Sequence, residues 1–135
     1  MKKNDTITKE LPHSKESEMI ILGCMLTNLN AHSLGLKMMR EKDFYLPQHQ
    51  AIFSVLKDAF IHGLIDVSLI SEKLDVKGEL DSIGGPAYLT TLAQYAGTSA
   101  YIEEYIEVVR NKSILRHMIE SAKLIAKQSD EELYE

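Results

Sequence analysis

From Thr98 to Ser129 the chain contains neither glycine nor proline, and the run reads as one long helix. Its apolar residues change sides partway along. At about 100° per residue, Ile102, Tyr105, Ile106 and Val109 share one face. Leu115, Met118, Ile119, Ala122, Ile125 and Ala126 share a face roughly opposite, and the switch falls across the polar run Arg110-Asn111-Lys112-Ser113. A straight helix cannot bury both halves against one surface. The first half suits the chain's own core. The second half requires another helix, from the same protein or from another subunit. The alternative is a kink at 110–113 that folds both halves back onto one body. We expect the projecting form.

A chain of 135 residues is long enough for one domain with a real core. With 44% apolar and 26% charged residues it has the composition of ordinary globular material. A formal net charge of −5 argues against a stand-alone nucleic-acid binder, which carries a basic excess. The single cysteine, Cys24, excludes an internal disulfide and a cysteine zinc site; it lies among apolar residues and is expected in the core. There is no apolar run long enough for a membrane span. The opening Met1-Lys2-Lys3-Asn4-Asp5-Thr6 has no apolar stretch behind it, so no secretory leader is expected and the cytoplasm is the expected compartment.

Residues 1–13 are polar, contain Pro12 and read as a flexible arm. Residues 14–97 read as a globular helical part, 98–128 as the long helix, and 129–135 as the stub of a following linker or hairpin helix. Ser14 suits the cap of a first helix, with Glu16 and Glu18 in its first turns and Ile21, Leu22, Met25 and Leu26 as its apolar face. Gly23 inside it suggests close approach of another helix. A weaker helix covers about His32 to Arg40, interrupted by Gly35. After the aromatic turn Phe44-Tyr45, Pro47 opens a strong helix reaching His62, with Ile52, Phe53, Leu56, Ala59 and Phe60 as its stripe and Gly63 as its stop. The stretch Ile65 to Leu69 alternates like a strand. A helix capped by Asp66 is preferred, because Leu69, Ile70 and Leu74 then share a face and no second strand is available to pair. Gly78 ends that helix. Gly84-Gly85-Pro86 starts another, which carries Tyr88, Leu89, Leu92, Ala93 and Ala96 and stops at Gly97. About six helices joined by short loops make an all-α bundle.

The sequence carries no catalytic signature. No glycine pattern gives a P-loop, and no zinc-protease or serine-hydrolase motif occurs. The histidines at 13, 32, 49, 62 and 117 lack metal-ligand spacing, so no metal, cofactor or catalytic residue is assigned to this chain. His49 reads as a helix-start histidine bonding locally, although its place beside two aromatics sets it apart. Glu103-Glu104 and Glu131-Glu132 read as solvated charges. Lys112, Arg116, Lys123 and Lys127 fall in one sector opposite the second apolar stripe. They read as the wet side of the helix, with an acidic protein partner or a nucleic-acid backbone as the functional alternative.

Several separated motifs point the same way. Leu11-Pro12-His13-Ser14-x-Glu16-x-Glu18 precedes Ile21-Leu22-Gly23, and Asp43-Phe44-Tyr45-x-Pro47-x-His49-x-x-Ile52-Phe53 follows. Then come Gly78-Glu79-Leu80, Gly84-Gly85-x-Ala87-Tyr88-Leu89, and Thr98-Ser99-Ala100-x-Ile102-x-x-Tyr105 with Val109, Lys112, Ile114, Leu115 and Arg116. In this order and spacing the chain, from about residue 11 to 128, resembles the N-terminal domain of the DnaB family of bacterial replicative DNA helicases. Gly63-Leu64-Ile65-Asp66-Val67 departs from the family's loop, being one residue shorter and without its proline.

The resemblance implies a helical globular part with a projecting helical hairpin, whose first arm would be the stripe from Leu115 to Ala126. It implies pairing between subunits within a hexameric ring, and docking of primase and a helicase loader. It places ATP, magnesium, DNA unwinding and most DNA contact in an ATPase domain of the parent protein that this chain lacks. A free-standing helical adaptor that binds a helicase or primase is the alternative. Direct single-strand binding is opposed by the acidic charge and the absence of an aromatic stacking platform.

Overall fold

Helices begin where a short polar side chain can accept the first free backbone N–H groups. The structure, a computed structural model, describes residues 10–61, 65–95 and 99–133. Helix α1 spans Lys15–Thr27, and its cap Ser14 accepts from the Ser17 N–H through Oγ at 3.2 Å. Helix α2 spans Leu29–Met38, capped by Asn28 Oδ1 on the Ala31 N–H at 2.8 Å. After a 3-10 turn at Glu41–Asp43, α3 spans Pro47–Ile61 and opens on the proline, whose missing N–H costs nothing there. Helix α4 spans Val67–Val76, with Asp66 Oδ1 accepting from the Ser68 N–H at 3.0 Å. Helices α5 (Leu80–Ile83) and α6 (Gly85–Tyr95) follow, then a 3-10 turn at Ser99–Tyr101 and α7, Ile102–Leu133. Among the described residues there is no strand, so the all-α expectation holds and the helical reading of 66–76 is the right one.

The centre of the fold is α1, which packs against α2, α3, α6 and α7. The expected face, Ile21, Leu22, Met25 and Leu26, is buried, but so are Ser17, Glu18, Met19, Gly23 and Cys24. A helix covered on most sides shows little amphipathic pattern, and for that reason the sequence revealed only part of its burial. Around it stand Phe44, Ile52, Phe53, Leu56 and Ala59, then Ile70 and Leu74, then Leu89 and Leu92. The first half of α7 closes the core with Ile102, Ile106 and Val109 buried and Tyr105 packed beside them. No helix among the described residues is long and apolar enough to cross a membrane.

Several expectations need correction. The second helix starts at Leu29 rather than near His32, because Asn28 provides a cap. Gly35 does not interrupt it: a Cβ there would lie 2.6 Å from Met25 Sδ, so the glycine admits α1 against α2. Helix α5 went unread because four residues are too few to show a period. It ends on Gly84 at φ +114, a left-handed conformation that L side chains rarely adopt, and a Cβ there would meet Tyr88 Cβ at 2.9 Å. Residues 10–13, expected as part of a flexible arm, are held against the body, as detailed below. The segment from Ser129 to Leu133, expected as a separate stub, continues α7 without a break. The expected roles of the Phe60 side chain, His62, Gly63, Ala96, Gly97 and Thr98 lie outside the described residues.

Two measurements test this packing. Phe53 is 2% exposed, so Phe53→Ala should cost about 3–5 kcal/mol in urea unfolding, and a loss below about 1 kcal/mol would contradict its place in the core. The second concerns His32, which is buried on α2 and donates from Nε2 to the Leu56 carbonyl on α3 at 2.7 Å. Burial pushes its pKa down, against the opposing pull of that bond. The unfolded chain therefore takes up a proton near pH 6.5 while the folded chain resists it until lower pH. This contribution is complete above about pH 6.5 and is lost as pH falls through the folded-state value. The urea midpoint should fall more steeply between pH 7 and 5 in the native sequence than in His32→Gln. Parallel curves would show that His32 is not held neutral.

Candidate partner interface

The residues that meet at the root of the projecting half of α7 come from three separate stretches of chain. Arg116 lies seven positions after Val109, about 20° short of two full turns, and so continues the first apolar stripe rather than the second. It is 8% exposed. One guanidinium nitrogen donates to the Pro12 carbonyl and the other to the Asp43 carbonyl, each at 2.9 Å. The guanidinium carbon stands 5.3 Å from the centroid of the Tyr45 ring, within cation–π range. His13 stacks on that ring at 4.1 Å, with its Nδ1–H donating to the Leu11 carbonyl at 2.8 Å. Arg116 is thus removed from the expected solvated basic face. Lys123 and Lys127 prolong its sector beyond the body and are exposed, while Lys112 is half-buried.

Tyr45 connects this cluster to a buried polar chain. Its N–H donates to Glu18 Oε2 at 2.8 Å, and Glu18 Oε1 stands 2.7 Å from His49 Nδ1. His49 Nε2 lies 2.6 Å from the Tyr88 hydroxyl. With Glu18 ionised, His49 Nδ1–H is the donor, and a neutral ring then accepts the Tyr88 hydroxyl proton at Nε2. Glu18 and His49 are both fully buried. His49 therefore does not bond locally, as expected from sequence; it bridges α1 and α6 from the first turn of α3. Nor is Glu18 a surface charge at the helix start. Carboxylate, imidazole and hydroxyl in a row have the order of a nucleophile-activating relay. Here burial, followed by the charge of Glu18 and then Tyr95, pushes the Tyr88 pKa up, which tightens its proton instead of freeing it. The relay is a joint between helices. Among the described residues no group of three or more His, Cys, Asp or Glu converges as a metal site.

Past Arg116 no described residue of α7 is buried. Leu115, Met118 and Ile125 are 43%, 59% and 64% exposed; Ala122 and Ala126 are exposed and Ile119 is half-buried. The helix brings all six onto one uninterrupted element with no break at 110–113. Ile114 and Leu124, outside the expected stripe, add exposed apolar surface. Ile114 flanks the stripe, one residue from Leu115. At 1.5 Å per residue, α7's 32 residues span about 48 Å, and its last four turns stand clear of the core.

Known proteins share this fold. Residues 10–111 match the family model described as the DnaB-like helicase N terminal domain. The chain is 36% identical over 117 residues to the replicative DNA helicase DnaB of Buchnera aphidicola, covering 86% of this chain and 25% of that protein. It is 32% identical over 111 residues to the replicative DNA helicase DnaB of Leifsonia xyli, covering 82% and 24%. It therefore spans about a quarter of the length of these curated relatives. The crystal structure of the N-terminal domain of DnaB helicase from Mycobacterium tuberculosis superposes with a TM-score of 0.85 at 30% identity, covering 89% of this chain and 84% of that one.

The joint can be tested by removing its ends. Glu18→Ala leaves the Tyr45 N–H and His49 Nδ1–H buried without acceptors, and should cost about 1–3 kcal/mol for each. Tyr88→Phe strands one group, the buried His49 Nε2, and should cost about 1–3 kcal/mol, roughly half the Glu18 loss. Equal losses in urea unfolding would contradict the central place given to Glu18.

Proposed function

This chain belongs to the family of DnaB-like helicase N-terminal domains, and from that premise we propose that it is an assembly and docking module of a replicative DNA helicase. Its task is to pair with other copies inside a hexameric ring and to offer a platform for primase and a helicase loader during DNA replication in the cytoplasm. The parent protein would unwind duplex DNA, with ATP and magnesium bound in a separate ATPase domain. This module would supply none of that chemistry. The observation that carries the reading is the exposed stripe of Leu115, Met118 and Ile125 on a helix standing off the body.

The magnitudes bear on how such a stripe works. Burying a large apolar side chain is worth about 1.5–3 kcal/mol. Three of them reach roughly 5–9 kcal/mol, close to the roughly 4–15 kcal/mol that association costs in lost freedom. One arm alone therefore pairs weakly. Tight pairing requires further apolar surface, such as the second arm of a helical hairpin.

The mass in solution, followed by light scattering over a concentration series, tests the reading. The chain should show weak, concentration-dependent association. Met118→Asp and Ile125→Asp should abolish it while leaving the helical circular dichroism unchanged. A native chain that stays monomeric at millimolar concentration, alone and when extended by a second arm, would overturn the assembly role.

A further inference from the structure

The two carbonyls that Arg116 grips are not equally secure. Asp43 sits in a stretch tied down at consecutive residues. Its carboxylate accepts from the Arg40 N–H at 2.9 Å, the Phe44 carbonyl accepts from Gln50 Nε2 at 2.7 Å, and the Tyr45 N–H is held by Glu18. The Asp43 carboxylate is thus turned to its own backbone, and only its carbonyl meets Arg116. Pro12, by contrast, lies in residues 10–13, whose other ties are the His13–Tyr45 stack, the Leu11–His13 bond and a His13–Glu10 approach of 4.0 Å. One jaw is fixed to the core and the other is a strap.

We propose that Arg116 is a latch fixing the direction of the projecting half of α7, and that residues 10–13 are its releasable strap. The chemistry suits arginine. A planar guanidinium presents two donors at fixed spacing, so it can hold two backbone carbonyls and lie over a ring at once; a lysine ammonium is a point charge on a flexible stem. Among the described residues Arg116 is the last buried one of α7, so it marks the root of the projecting half. Loosening the strap leaves a single jaw, and the helix gains freedom about its root. The latch deepens the assembly reading by controlling how the stripe is presented. The consequence for assembly rests on that reading; the latch itself is a property of the single chain.

The test measures direction rather than stability. Spin labels on Ser82→Cys and Ser129→Cys, both exposed positions, report the distance from body to helix tip, while buried Cys24 escapes labelling. Labelled chain diluted into an excess of unlabelled chain gives the single-molecule distance distribution. The native chain should give one narrow peak. Arg116→Met should broaden it at least twofold with helical circular dichroism unchanged, and Arg116→Lys and His13→Ala should give intermediate widths. A superimposable distribution for folded Arg116→Met overturns the latch. If that variant fails to fold, Arg116→Lys decides by the same width. A native width in His13→Ala beside a broadened Arg116 variant overturns the strap. The assembly reading fails on a different measurement, the mass of the stripe variants, so either idea can fall alone.

Discussion

A carboxylate brought into the middle of a helical core is tolerated only when both oxygens are occupied. Glu18 meets that condition with the Tyr45 N–H on one oxygen and His49 on the other. Because those partners belong to different parts of the chain, satisfying one buried charge fixes several relative positions at once. The turn before α3 is drawn onto α1, the first turn of α3 follows, and His49 carries the constraint to Tyr88 on α6. Apolar packing alone is forgiving of small slides. A buried polar chain with every member partnered is much less so, since any slide leaves a donor or acceptor bare.

That rigidity extends to the root of the long helix. Tyr45, positioned by Glu18, presents its ring to Arg116 and His13. The same arginine closes the core stripe that begins at Ile102. The joint at which the body ends and the projecting half begins is therefore a polar one, anchored through Tyr45 to Glu18 at the centre of the fold. A purely apolar root would bury surface but would define the angle of α7 less well.

The parts of this fold that were legible in sequence are those governed by local rules. Caps at Ser14 and Asp66, the proline at the head of α3 and the switch of stripe along α7 depend on neighbours a few residues away, and each lies where those rules put it. What could not be read depends on residues far apart. Glu18 lies in the first turns of α1 as expected, but its burial depends on partners 27 and 31 positions away. Arg116 was grouped with lysines because it shares their sector. The helical wheel sets it near Val109, however, and following the first stripe two turns further marks it as an arginine at the edge of a core. Gly35 reads as a break in sequence because its use, a close approach to Met25, exists only in three dimensions.

The spacing of the exposed stripe bears on what can cover it. Leu115, Met118, Ala122 and Ile125 follow one another by three, four and three residues, the interval that keeps a seam facing a second helix as both wind about each other. Ala122 in the middle is small enough to let a partner backbone approach, and Ile119 and Ala126 border the seam on one side. A strand or a loop would meet such a row at the wrong repeat, whereas a helix crossing at about 20° can fill each gap in turn. A covering element of this kind must run alongside α7 beyond the reach of the body, so the angle at which α7 leaves Arg116 also sets where its partner can lie. In the assembly reading, then, the fixed joint and the exposed seam are two ends of one requirement: a weak apolar contact selects a geometry only when the helix that carries it is held still.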